Sequence, residues 1–123
     1  MPANWNEFIT LGDYMMNHSN SFPISEEMLY RCVISRAYYA AYAQLFDSAV
    51  ASGEYVSCRT SFDHTKLRQH LKNKGLSKEA IILQRLRASR EKADYDTKEI
   101  ISRTDADWAL VNAKNLCGSC SLL

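Results

Sequence analysis

The chain has 123 residues, enough for one domain and short for two. Apolar residues (46%) can fill a single core, and charged residues (24%) argue against wholesale disorder; four Gly and two Pro are too few for the many turns of a sandwich or barrel. Fifteen bases against 14 acids give a formal charge of +1, a total that by itself gives no sign of a strongly basic nucleic-acid binder.

The opening Met-Pro-Ala-Asn-Trp-Asn-Glu has neither the basic nor the apolar region of a secretory signal. No apolar run approaches the roughly 20 residues of a membrane helix. The expectation is a cytoplasmic protein that engages no membrane. Cys32, Cys58, Cys117 and Cys120 are then reduced thiols. Cys117-Gly-Ser-Cys120 has CxxC spacing, but no second pair with metal spacing accompanies it, so no metal and no cofactor is expected.

Residues 4–18 place Trp5, Phe8, Gly12, Met15 and Met16 on one side at a helical period. A polar stretch before Pro23 is a joint. Ser25, followed by two glutamates, is a cap, and nothing interrupts a helix from Ile24 to about Ser52, where Gly53 ends it. At 1.5 Å per residue this helix is roughly 40 Å long. Its middle alternates Ala37, Ala40, Ala41 and Ala43 with Tyr38, Tyr39 and Tyr42, so neighbours can approach closely. Those tyrosines read as core rather than as a stacking platform.

Residues 54–61 are a loop by composition. Ser61 or Asp63 caps a third helix carrying Leu67 and Leu71, which Gly75 closes. Ser77 caps a fourth, with Ile82, Leu86 and Ala93 on one face, ending near Asp94. Residues 97–103 are a short helix or an extension. Thr104-Asp-Ala-Asp107 opens the last helix with a variant capping box, and that helix carries Trp108, Val111, Leu116 and Cys120. No strand alternation is sustained. The expected fold is a single all-α domain over 1–123, an up-down bundle of four to five helices.

The near-neutral total hides a segregation of charge. Between His64 and Lys92 there are nine bases and two acids, net +7, while the remainder holds six bases and twelve acids, net −6. Such a stretch is either an electrostatic footprint for phosphate or RNA, or a solvated outer face, or a surface that meets the acidic part of a second copy.

Two segments resemble the HEPN superfamily, small helical domains of prokaryotic toxins, defence proteins and nucleotidyltransferase partners. Ser35-Arg-Ala-Tyr-Tyr-Ala-Ala-Tyr-Ala-Gln-Leu-Phe46 is similar to the SRxYYAAF pattern of its long second helix. Leu86-Arg-Ala-Ser-Arg-Glu-Lys-Ala-Asp-Tyr-Asp96 is similar to the LRxxRxxADYD pattern of one branch. Between them, His64-Thr-Lys-Leu-Arg-Gln-His-Leu71 looks like its HxxVxxxL helix. The resemblance runs from Glu26 to the C-terminus. It implies a HEPN-like bundle, usually a homodimer, whose catalytic members cut RNA without metal using an Arg and a His four to six residues apart. Arg90 matches that Arg; five residues on stands Tyr95, and no His follows His70.

Cleavage through the 2′-hydroxyl needs a base, a proton donor and positive charge on the phosphorane. A His suits the first two, whereas Tyr, with a pKa near 10, is a poor base at pH 7. Arg90 can still hold a phosphate with two parallel bonds. The residues thus preserve anion binding better than catalysis. Arg90 and Tyr95 are the catalytic candidates. Ser35, Arg36, Tyr39, His64, Arg87 and Asp94, all within the matched motifs, are the candidate ligand contacts. His64 substitutes for the missing His if the fold brings it to the same cleft. The structural alternative makes Arg90, Asp94 and Asp96 an ion-pair cluster ending a helix, gives a buried Arg36 Asp94 as its partner, and packs Tyr95 with its hydroxyl on a carboxylate. His18 and His70 are expected at the surface.

Three functions are compatible with these residues. The first is a dimeric RNA- or nucleotide-binding accessory module of a defence or toxin–antitoxin system. The second is a metal-independent endoribonuclease using Arg90 with Tyr95 or His64. The third is a protein-binding partner of a nucleotidyltransferase, with Tyr95 as a target of nucleotide transfer.

Overall fold

Ser25 starts the helix on which the others assemble: its side chain accepts a hydrogen bond from the Met28 amide, and Glu26 and Glu27 occupy the first turn. In the computed structural model, which describes residues 3–123, this helix is α2 (Glu26–Ala51). It is preceded by α1 (Asn6–Asn17) and followed by α3 (Asp63–Asn73), α4 (Ser77–Tyr95) and α5 (Arg103–Gly118). Short 3₁₀ turns cover Ser19–Ser21 and Ser119–Leu122, and no strand occurs among the described residues. The fold is all-helical, with five helices packed together.

The middle of α2 is buried almost all round. Leu29, Val33, Ala37, Tyr38, Ala40, Ala41, Leu45 and Ala49 are each fully covered. α2 packs against α1, α4 and α5, and α3 packs chiefly against α4. The close approach of α2 and α5 rests on alanines on both sides, since Ala106, Ala109 and Ala113 of α5 are also fully buried. Gly12 serves the same purpose between α1 and α5: a Cβ there would lie 2.8 Å from Leu110 Cδ2. Trp108 (38% exposed) and Val111 (55%) lie outside the core, so the buried face of α5 is the Ala106–Ala109–Leu110–Ala113–Leu116 stripe.

Three helix starts differ from the expected ones. The cap of α3 is Phe62, without a side-chain bond, because the Asp63 carboxylate turns back onto the preceding loop. It accepts hydrogen bonds from the Tyr55 hydroxyl (2.6 Å), the Ser57 hydroxyl (2.7 Å) and the amides of Cys58 and Arg59 (3.2 Å each). The cap of α4 is Leu76 rather than Ser77. Gly75, at φ +81°, and Leu76 close α3 by returning their amides to the carbonyls of Lys72 and Leu71, so α4 begins one residue after the previous helix is sealed. The capping box of α5 is Ser102 with Asp105, two residues before the expected one.

Residues 96–102 are not helical; they form a strap between α4 and α5. Arg31 of α2 holds it, donating to the carbonyls of Lys92 (3.3 Å), Ala93 (3.0 Å), Asp96 (2.6 Å) and Glu99 (2.7 Å) while its Nε pairs with Glu27. Glu27 in turn accepts from the amide of Ile101, whose side chain is buried. No helix is long and apolar enough to cross a membrane among the described residues.

Candidate anion site on α2, α3 and α4

The basic stretch folds into α3 and α4, and three of its arginines, Arg68 from α3 and Arg87 and Arg90 from α4, turn toward Tyr38 and His64. Tyr38 is fully buried and its hydroxyl is hydrogen-bonded to His64 Nδ1. The His64 ring stacks on Tyr42 (centroids 4.1 Å, 16° between planes) and more loosely on Tyr38 (5.7 Å). The fold therefore brings His64 and Arg90 to the same side chain, Tyr38.

Arg90 is the most buried charge in this cluster, 9% exposed. Its guanidinium carbon lies 5.7 Å from the Tyr38 ring centre, 5.4 Å from that of Tyr39 and 6.0 Å from that of Tyr95. One nitrogen contacts Asp94 Oδ2 at 3.4 Å, and the Ser35 hydroxyl reaches the same oxygen at 3.5 Å. Burial opposes the Arg90 charge, but Tyr39 and Asp94 outweigh it, and its pKa is raised. Arg87 pairs with Glu91 at 3.3 Å. Arg68 bonds only the Thr65 hydroxyl, at 3.3 Å, and burial with the nearby Arg87 lowers its pKa.

Three buried side-chain nitrogens among the described residues have neither a hydrogen-bond nor an ion-pair partner within the chain, Arg68 Nη1, Arg90 Nε and His70 Nε2, while Arg87 Nε has only its 3.3 Å ion pair with Glu91 and no hydrogen bond of good geometry. Arg68 Nη1 and Arg90 Nε belong to this cluster. A buried donor left unpaired costs about 1–3 kcal/mol, and three guanidiniums around one tyrosine repel each other. An oxyanion offsets both costs, because guanidinium forks match the geometry of phosphate oxygens.

The same charges decide the state of His64. Burial, then Arg87, Arg90 and Arg68, hold its pKa down to about 4, with Asp63 opposing. The imidazole is neutral at pH 7, without an imidazolium's acidic proton and with little affinity for a second one. Burial likewise pushes the Tyr42 hydroxyl up to about 12 and that of Tyr38 higher still.

Of the candidates from sequence, Arg90, Arg87, His64, Tyr39, Ser35 and Asp94 come together here. Arg36 does not join them: it is exposed, lies over the Phe8 ring at 5.4 Å, and leaves Asp94 to Arg90 and Ser35. Asp96 also departs, its carboxylate accepting from the amides of Lys98 and Glu99. Tyr95 is 73% exposed at the end of α4, with its ring toward Arg90 and its hydroxyl on no carboxylate. His70 is half-buried against the edge of Tyr55 rather than at the surface, whereas His18 is exposed. Arg68 is the member that sequence reasoning missed; its position four residues after His64, on the same face of α3, was the available signal.

Cys117 and Cys120 lie at the end of α5 and in the turn after it, and burial pushes the Cys117 thiol up to about 11. Such a thiol is hardly ionised at neutral pH. Among the described residues no three His, Cys, Asp or Glu side chains are grouped to hold a metal ion.

No protein family, curated protein or solved structure matches the chain.

Proposed function

We propose that this protein is a HEPN-like module that binds the phosphates of RNA or a nucleotide without cleaving them, as an accessory part of a prokaryotic defence or toxin–antitoxin system. The observation that carries the reading is the convergence of Arg68, Arg87 and Arg90 around Tyr38 and His64, with a buried, unpartnered N–H on Arg68 and on Arg90. The motifs shared with the HEPN superfamily supply the family context and imply a homodimer. The basic stretch on α3 and α4 and the acidic remainder are complementary surfaces for such pairing.

Binding is favoured over turnover by the state of His64. An imidazole with a pKa of about 4 is a weak base, and its acidic protonated form is scarcely populated at pH 7. The endoribonuclease reading is second. It is favoured by one observation, that His64 lies within the arginine cluster and is the histidine available for the role that no residue after Arg90 supplies.

An oligoribonucleotide incubated with the protein in EDTA separates the two. The binding reading predicts a retained, intact RNA at low salt and release at high salt. RNA cut to a cyclic phosphate by wild type, but not by His64→Gln, establishes the second reading. RNA neither bound nor cut defeats both.

A further inference from the structure

Beside the arginine cluster, α1 and α2 enclose an open groove of about 460 Å³. Its walls are aromatic: Trp5, the residue that precedes α1, Phe8 from α1, and Tyr39, Tyr42 and Phe46 from α2. Each of these rings is half-buried, so each packs against the core and still has area facing outward. The groove is also held in shape. Trp5 Nε1 donates to Asp47 Oδ2 at 3.1 Å, and the Gln44 amide donates to Asn6 Oδ1 at 2.9 Å, fixing the start of α1 on the outer half of α2. Trp5 meets Phe8 edge-on, with centroids 5.6 Å apart.

Two walls of the groove belong to the anion site as well. Tyr39 carries Arg90 over its ring, and Tyr42 stacks on His64. A ligand anchored by its phosphate at the arginines therefore has an aromatic wall next to it. Arg36 and Asp47 stand at the groove's rim, offering donors and acceptors side by side. Among the described residues Arg36 has no carboxylate partner; its guanidinium lies over Phe8.

We infer that this groove is a base-stacking subsite, which receives an unpaired nucleobase of the ligand whose phosphate the arginines hold. The inference rests on the proposed phosphate binding and adds the class of ligand: single-stranded nucleic acid, or a nucleotide, rather than a duplex or a bare phosphate. A flat ring with exposed faces fits walls of rings, and every base has such a face, so the preference is for single strands and tolerant of sequence. A base within a duplex has both faces covered and cannot enter. A plain apolar side chain would fill the groove but would leave Arg36 and the adjacent arginines unused.

The test uses Trp108→Phe, which leaves Trp5 as the one tryptophan of the chain. Its fluorescence and affinity are followed with three probes at low salt: a single-stranded uridine tetranucleotide, an abasic ribose-phosphate oligomer with the same number of phosphates, and a blunt RNA duplex. The tetranucleotide is expected to quench Trp5 and to bind about tenfold or more tightly than the abasic oligomer, with the duplex no better than the abasic probe. Adding Phe8→Leu, which keeps an apolar contact with the core, should shrink that preference severalfold and leave abasic affinity unchanged. Equal affinity for the tetranucleotide and the abasic oligomer, with Trp5 unquenched, overturns the subsite while phosphate binding stands. Failure of all three probes to bind overturns both. Trp5 fluorescence that changes with protein concentration in the absence of ligand shows a second copy covering the groove and also overturns the subsite.

Discussion

The Tyr38 hydroxyl and His64 Nδ1 are hydrogen-bonded between α2 and α3, with the two rings inclined by only 19°. The bond ties the most buried tyrosine of the central helix to the sole histidine of the arginine cluster. It is compatible with a neutral imidazole, and burial, together with Arg87, Arg90 and Arg68, keeps the imidazole neutral.

A pH dependence of stability follows. The His64 pKa is lower in the folded chain (about 4) than its ordinary value of 6.5, so the unfolded chain binds more protons between those values. The stabilisation is complete above about pH 6.5 and is lost as the pH falls toward 4. Part of the ring faces solvent, and after discounting for that screening the loss is about 1–2 kcal/mol. Urea unfolding at pH 7.5 and 4.5 should show this loss in wild type and not in His64→Gln, over and above the losses common to both.

An anion at the cluster neutralises the charges that suppress His64. Inorganic phosphate is therefore expected to raise the His64 midpoint, measured by its ring resonances across a pH titration. The midpoint should return toward its original value as salt displaces the anion. A midpoint indifferent to phosphate would place the anion elsewhere.

The loop before α3 depends on one carboxylate. Burial of Asp63 works to raise its pKa, but bonds from Tyr55, Ser57 and the Cys58 amide outweigh that and hold it near about 2. Asp63→Ala leaves those donors unsatisfied and should cost about 2–4 kcal/mol by denaturant unfolding. Because the folded pKa lies below the ordinary 3.8, the stabilisation is present above that value and lost as the pH falls toward 2.

Arg31 holds the strap between α4 and α5 with a planar fork that lysine lacks. Arg31→Lys and Arg31→Ala should both free the Ile101 amide for hydrogen exchange. The alanine variant should lose about 2–4 kcal/mol. An Ile101 amide equally protected in the lysine variant would show that charge alone suffices.

How far the sequence revealed this molecule depends on the range of the interactions concerned. α2 was legible from end to end because Ser25, the uninterrupted run after it and Gly53 are local signals. The starts of α3 and α4 were misread because Asp63 and Ser77 are ordinary caps by type. The pull of Tyr55 and Ser57 on Asp63, and the sealing of α3 by Gly75 and Leu76, emerge only when neighbouring segments compete. The candidate site followed the same division. Arg90, Asp94 and Ser35 sit in motifs and were visible. Arg68 was one base among nine until α3 packed on α4, and Arg36 was assigned a buried partner although its side of α2 is open. The Trp5–Phe8 wall beside Tyr39 read as core because a helical stripe does not reveal which of its rings a neighbouring helix leaves half uncovered.

Salt-dependent binding of a single-stranded oligoribonucleotide, compared across wild type, Arg68→Gln, Arg90→Gln and the exposed control Lys78→Gln, tests the central claim most directly, with circular dichroism confirming that each variant is folded. The arginine variants should each lose about tenfold or more in affinity and flatten the salt slope by about one phosphate contact, while Lys78→Gln changes affinity far less. Folded Arg68→Gln and Arg90→Gln proteins that bind like wild type, with an unchanged slope, would contradict the assignment of the arginine cluster as the phosphate site.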